Sequence, residues 1–134
     1  MKTISVKKFL SEQFDKLLIL DVRSNDFLGG NIPFAHNIPS INYKLISQYV
    51  KPYDNIIVHC MYSSLRGPGV VKRLEIDYPN KNIMLLEGGF HKYFNEIFNQ
   101  INQINKNDKC MISNINLDYW KYNPNTQLYY HIDG

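Results

Sequence analysis

Cys60 and Arg66 are separated by five residues in the run His59-Cys60-Met61-Tyr62-Ser63-Ser64-Leu65-Arg66. A thiolate is a strong nucleophile, and a guanidinium is a planar fork that can hold two oxygens of a tetrahedral anion. The spacer between them sets the diameter of a loop and the number of backbone N–H groups that line it. Where such a loop enters a helix, those N–H groups converge on one point, and the helix dipole adds about half a positive charge there. The same field attracts an oxyanion and stabilises a thiolate. Covalent catalysis on a tetrahedral oxyanion follows as the expected chemistry. Cys60 is the nucleophile, and Arg66 is expected to fold back across the loop to hold the charge gathered in the transition state. Lysine lacks the fork and could not take that place. Met61, Tyr62, Ser63, Ser64 and Leu65 supply the oxyanion-binding loop, with Ser63 and Ser64 as extra hydroxyl donors.

The flanking residues are of the kind that would position such a loop. Asn55 to His59 reads as a buried strand, and Arg66-Gly67-Pro68 followed by Val70, Val71 and Leu74 reads as the start of an amphipathic helix with proline in its first turn. The same alternation runs through the chain. Val6 to Phe14 has helical spacing with Ser5 as N-cap, and Leu17 to Val22 is an apolar run suited to a strand covered on both faces. Gly29-Gly30-Asn31-Ile32-Pro33 breaks regular structure, Ala35 to Ile38 is a short strand, and Pro39-Ser40 opens a helix over Ile41 to Tyr49. Asn82 to Leu86 is another strand, and a helix runs from Phe90 to Ile104, its apolar face carried by Phe90, Phe94, Ile97, Phe98 and Ile101. Alternating strands and helices predict an α/β fold with a mainly parallel central sheet flanked by helices, in which ligands sit at the carboxyl ends of strands. The polar run 105–109 reads as a loop. Beyond it, Leu117 to Tyr122 and Gln127 to Ile132 are β-prone segments separated by Asn123-Pro124-Asn125-Thr126, which predicts a terminal hairpin.

Composition sets the broad class. With 134 residues, 44% hydrophobic and 20% charged, the chain has the make-up of one globular domain. A net charge of +3 on scattered lysines gives no nucleic-acid signature. The longest apolar run, Leu17 to Leu20, is far short of the roughly 20 residues that cross a bilayer. Two cysteines make no disulfide framework, and the lysine-broken start is no signal peptide, so a cytoplasmic or nuclear compartment is expected. No membrane partner and no metal site are expected, since no His/Cys pair has ligand-like spacing. Oligomeric state leaves no trace in the residues.

The run from His59 through Arg66 to Gly67-Pro68 resembles the signature of the cell-division-cycle dual-specificity phosphatases, also called M-phase inducer phosphatases, and of the eukaryotic arsenate reductases. Leu20-Asp21-Val22-Arg23, Gly29 to Ile32 and Ala35 to Pro39 resemble the first block of the rhodanese fold on which both are built, and Leu86-Glu87-Gly88-Gly89-Phe90 resembles its last strand and helix start. The resemblance runs from about Ile4 to Phe98. It implies a rhodanese-like catalytic domain over 1–104, with 105–134 as a C-terminal extension packed on the same domain. It also implies a cysteine-dependent phosphatase of tyrosine or dual-specificity type, an arsenate reductase, or both. The substrate would be a phosphorylated protein or a small oxyanion. No bound cofactor is implied, and glutathione with glutaredoxin would be the reductant for arsenate. Sulfurtransferase rhodaneses carry a loop one residue shorter, which ranks thiosulfate sulfur transfer lower. Retention of both Cys60 and Arg66 argues against a non-catalytic rhodanese-fold binding module.

Two departures from the resemblance carry chemical meaning. The cell-cycle phosphatases have acids directly after the cysteine and directly before the arginine, where this chain has Met61 and Leu65. The loop therefore brings no proton donor, a lesser need for arsenate reduction, where only hydroxide or water is expelled. Val22 stands at the place of the phosphatases' rescue cysteine, so that protective disulfide is not expected. Among the remaining candidates, Asp21 and Arg23 read as a structural pair bracing the loop, and His59 as a support that hydrogen-bonds backbone. Cys110 reads as a bystander, with a resolving thiol as the alternative. His36, His91 and His131 carry no signal, and the tail aromatics read as hairpin packing.

Overall fold

The computed structural model describes residues 1–104 and 111–132. Its centre is a five-stranded sheet in the order β1-β5-β4-β2-β3, parallel throughout. The strands are β1 (Lys2–Ile4), β2 (Leu17–Asp21), β3 (His36–Asn37), β4 (Asn55–His59) and β5 (Asn82–Leu86). β4 and β5 occupy the spans expected from their apolar runs. β1 was not anticipated. Only its last residue is buried, and its existence rests on pairing with Met84, Leu85 and Leu86 of β5, which the local residues do not announce.

Strand alternation divides the core in two. Leu18, Leu20, Ile56, Val58, Ile83 and Leu85 face one side, packed with α2 (Tyr43–Tyr49) and α3 (Arg66–Asp77). Ile57, Met84 and Leu86 face the other, packed with α1 (Val6–Ser11) and α4 (Gly89–Ile104). This two-residue period continues past the end of β4 and decides the chemistry. Cys60 follows Ile56 and Val58 onto the α3 side, while His59 turns to the α4 side and stacks on Phe90.

Helix boundaries differ from the expected ones for local reasons. α1 has Ser5 as N-cap, its side chain accepting from the Lys8 N–H, but it ends at Ser11 where Glu12 turns extended. α2 begins two residues later than Ile41 because Asn42, and not Ser40, caps it by accepting from the Leu45 N–H. Ile41 is left in solvent.

The hairpin is present as β6 (Trp120–Asn123) and β7 (Leu128–His131), antiparallel, with Leu117–Tyr119 forming a 3-10 turn and not strand. Asn116 accepts from the Asp118 N–H and closes that turn. The hairpin lies on α4, where the Trp120 ring stacks on Phe94 at 3.7 Å and Asn95 exchanges two hydrogen bonds with the Tyr129 backbone. It also grips the Gly29-Gly30 turn. The Trp120 indole N–H donates to the Gly29 carbonyl at 3.1 Å, His131 Nε2 lies 2.8 Å from the Leu28 carbonyl, and Asn31 forms a two-bond bridge with Ser113. Trp120→Ala should lower the free energy of unfolding by about 3–5 kcal/mol in urea titrations, as for other buried aromatics. A loss under about 1 kcal/mol, the scale of ordinary surface changes, would mean that 111–132 does not unfold with the sheet.

Candidate active site

The Cys60 loop lies between the carboxyl end of β4 and α3. Cys60 is 2% exposed, and its Sγ accepts the Gly67 N–H at 3.3 Å. A Cβ at Gly67 would stand 2.9 Å from Leu85 Cδ1, so a larger residue there must push the Leu85 side chain aside. The loop is held from below by the first turn of α4. Phe90 N–H donates to the Cys60 carbonyl at 3.0 Å and His91 N–H to the Met61 carbonyl at 2.8 Å. With those carbonyls drawn toward α4, the loop's own N–H groups are released for other work. Those of Tyr62, Ser63, Ser64 and Leu65 bond to no group among the described residues. Ser63 closes the curve at φ 54°, and its buried hydroxyl has no partner either.

The side chains of the loop divide by environment. Met61 is wholly buried among Ile57, Phe90 and Phe94, so it contributes backbone only. Leu65 is 80% exposed. Tyr62 sits on the rim, where its ring meets His91 at 4.9 Å, and His91 meets Tyr130 of the hairpin at 5.0 Å. Two cavities flank the loop. One of about 260 Å³ is lined by Ser40, Tyr43, Leu65, Arg66 and Arg73, and one of about 430 Å³ by Tyr62, His91, Lys92, Asn95 and Leu128. The pairing of His91 and Tyr130 with Tyr62 gave no sign in the sequence, since the three come from separate elements.

Arg66 is not folded across the loop as expected. Its Nη1 and Nη2 donate to the two carboxylate oxygens of Asp26 at 2.7 and 2.5 Å. Asp26 is the residue that sequence reasoning missed. A lone carboxylate in an irregular segment has no pattern, and its meaning comes from a partner 40 positions away. Burial pushes its carboxyl up, but the hydrogen bonds and charge of Arg66 outweigh that and hold it below the usual carboxylate range. The same bonds raise Arg66.

Asp21 and Arg23 form a pair with no solvent exposure. Arg23 Nε and Nη2 donate to the Asp21 carboxylate at 3.0 and 2.7 Å, Nη2 also reaches the Gly30 carbonyl at 2.9 Å, and the guanidinium lies 4.4 Å from the Phe90 ring centre. Nη1 touches the Asp26 carbonyl at 3.4 Å. Arg23 therefore shapes the turn that presents Asp26 to Arg66. His59 is wholly buried, with Nδ1 donating to the Cys60 carbonyl at 3.1 Å and Nε2 3.7 Å from the Asp21 carboxylate. Burial lowers its pKa, against the pull of Asp21. As a neutral imidazole it keeps the proton on Nδ1 and so fixes the loop's first peptide. Cys110 lies outside the described residues, and no group of His, Cys, Asp and Glu able to hold a metal ion occurs among the described ones. No helix among them is long and apolar enough to cross a membrane.

A cysteine and an arginine at the two ends of an amide-lined loop stand at the carboxyl end of a parallel sheet. Residues 5–96 match the rhodanese-like domain, and the chain belongs to that family. It is similar to the dual specificity phosphatase ibp1 of Schizosaccharomyces pombe, with 35% identity over 74 residues that cover 52% of this chain and 54% of the relative. It is also similar to the dual specificity phosphatase Cdc25 of Arabidopsis thaliana, with 31% identity over 87 residues, 56% of this chain and 60% of the relative. The match thus spans a little over half the length of these curated relatives. The As-Sb reductase of Leishmania major has the same fold, with a TM-score of 0.62 over 98% of this chain and 93% of that one at 15% identity.

Gly89 offers a direct test of the loop's support. It has φ 63°, and a Cβ there would stand 2.5 Å from the Met61 carbonyl oxygen and 2.7 Å from that of Cys60. Gly89→Ala should cost about 1–3 kcal/mol from the backbone conformation alone. It should also displace the loop, so that binding of vanadate or arsenate, followed by calorimetry, is lost while the fold remains by circular dichroism.

Proposed function

We propose that the chain is a thiolate enzyme acting on tetrahedral oxyanions: a cysteine-dependent phosphatase, an arsenate reductase, or both. The observation that carries this reading is the loop between Cys60 and Arg66, whose amides from Tyr62 to Leu65 have no partner among the described residues while Cys60 Sγ is held by Gly67 N–H. A tetrahedral anion placed there would meet converging N–H donors and the α3 dipole, with Cys60 Sγ below its central atom. Attack forms the S–P or S–As bond and expels the opposite oxygen. Water then releases phosphate, or a thiol such as glutathione, with glutaredoxin, carries the arsenic adduct to reduction. The names of the two curated relatives support the phosphatase side, and a phosphorylated protein or a small oxyanion is the substrate class proposed. Met61 and Leu65 at the places of the loop acids favour arsenate as an additional substrate.

The purified protein is expected to turn over an aryl phosphate, or arsenate in the presence of glutathione and glutaredoxin, faster than it moves sulfur from thiosulfate to cyanide. Cys60→Ser should abolish turnover. Arg66→Lys, which keeps the charge and loses the fork, should cost about 10²–10³ in kcat, the usual effect of removing a transition-state donor. Turnover that survives Cys60→Ser, or a dominant thiosulfate rate, would overturn the reading.

A further inference from the structure

Phosphoryl transfer from an oxygen ester needs a proton for the departing oxygen, and the loop brings none. Met61 is buried in the α4 core and Leu65 is an exposed hydrocarbon. Of the carboxylates near Arg66, Asp21 is fully engaged by Arg23 and has no exposure. Asp26 is different. Its carboxylate is held by the Arg66 fork, the Ser24 N–H and its own backbone N–H. It is 7% exposed, so it borders the site without being sealed from it.

We propose that Asp26, presented from the turn after β2, is the general acid–base that serves the Cys60 nucleophile; this rests on the phosphatase reading above. The fork that now binds Asp26 is the group an oxyanion on the loop would recruit. When a phosphate dianion takes Arg66, Asp26 loses its cation and gains a negative neighbour in a poorly solvated place. Both changes favour the protonated carboxyl. The charged and titratable groups around it are few. Arg66 faces it from α3, Arg23 bonds its carbonyl from the end of β2, and Tyr62 on the loop rim feels its charge. Asp21 and Cys60 act on Arg66 itself. None of these replaces the lost cation. Substrate binding thus converts Asp26 from an ion-paired base into an acid beside the arginine that holds the anion.

The steps balance. Cys60 thiolate forms the S–P bond, the ester P–O bond breaks, and the Asp26 proton passes to the leaving oxygen. A water oxygen then forms a new P–O bond while Asp26 carboxylate takes its proton. The S–P bond breaks, and Cys60 leaves as thiolate. The sum is ester plus water giving alcohol plus phosphate; Asp26 takes up its proton from solvent as the anion binds, holds it again after hydrolysis, and returns it to solvent when phosphate leaves and Arg66 pairs with it once more.

Leaving-group dependence reads this assignment. Dinitrophenyl phosphate departs with little need of a proton, whereas phenyl phosphate needs one. Asp26→Asn, nearly isosteric and still able to accept from Arg66, should lose far more on phenyl phosphate. The ratio of the two kcat values should move by about 10²–10⁴-fold from wild type, the range typical of a lost general acid. The basic limb of the kcat profile should vanish with it, and Asp26→Glu should restore part of both. A Cys60-dependent burst of dinitrophenolate from Asp26→Asn would show that the variant is folded with its nucleophile in place. Equal losses on both esters would make Asp26 a positioning residue and overturn the proposal. So would a parallel rise in kcat/KM on both, the mark of a carboxylate that merely competes for Arg66. Failure of wild type on dinitrophenyl phosphate would overturn the phosphatase reading, and this proposal with it.

Discussion

The buried pairing of Arg23 with Asp21 is the interaction on which the rest of the site depends. Two charges removed from water are tolerated only when both are paired and their remaining donors are satisfied. Here the Asp21 carboxylate takes three hydrogen bonds from the Arg23 guanidinium and a fourth from its backbone N–H, and the guanidinium goes on to the carbonyls of Gly30 and Asp26 and lies over Phe90. The ion pair therefore does more than stabilise: it folds the segment after β2 into one shape. That shape delivers Asp26 to Arg66, sets Gly29 and Leu28 against the hairpin, and places a carboxylate beside His59. His59 in turn secures the Cys60 carbonyl from one side while the Phe90 N–H secures it from another.

Much of this was legible in the residues, and the parts that were not share a cause. β4 and β5 are continuous apolar runs whose periodicity is local, so their bounds could be read directly. The spacing from Cys60 to Arg66, flanked by strand and helix patterns, declared a loop at a strand end. The pairing of Asp21 with Arg23 also followed from their place at the end of β2. What could not be read is whatever a distant segment decides. β1 exists because β5 offers an edge, α2 starts where Asn42 caps it, and the Arg66 fork lies on Asp26 because Arg23 has bent the intervening turn. Met61 is the instructive case within the motif. It is a loop residue by position, yet the two-residue period carried past His59 buries its side chain with α4.

Beside the loop, Arg23 pairs with Asp21 and Arg66 with Asp26, while the loop amides have no partner among the described residues. Such an arrangement keeps the resting protein electrically quiet while leaving a nest of donors for an incoming anion. It differs from a site in which the arginine waits unpaired, because here the Arg66 fork is already held by the Asp26 carboxylate.

The grip of the hairpin on the turn after β2 also has a bearing on how the protein is made. Trp120 and Gly29 are 91 positions apart, and His131 and Leu28 are 103. Contacts of that sequence separation form late, since the entropy of closing so long a loop must be met first. A ribosome that has released residues up to the end of α4 has produced every strand of the parallel sheet, Cys60 and Arg66, but none of the groups that clamp Gly29 and Leu28. During synthesis from the amino terminus, the sheet can assemble ahead of its last clamp, and the segment bearing Asp26 is finished only when the final two strands arrive.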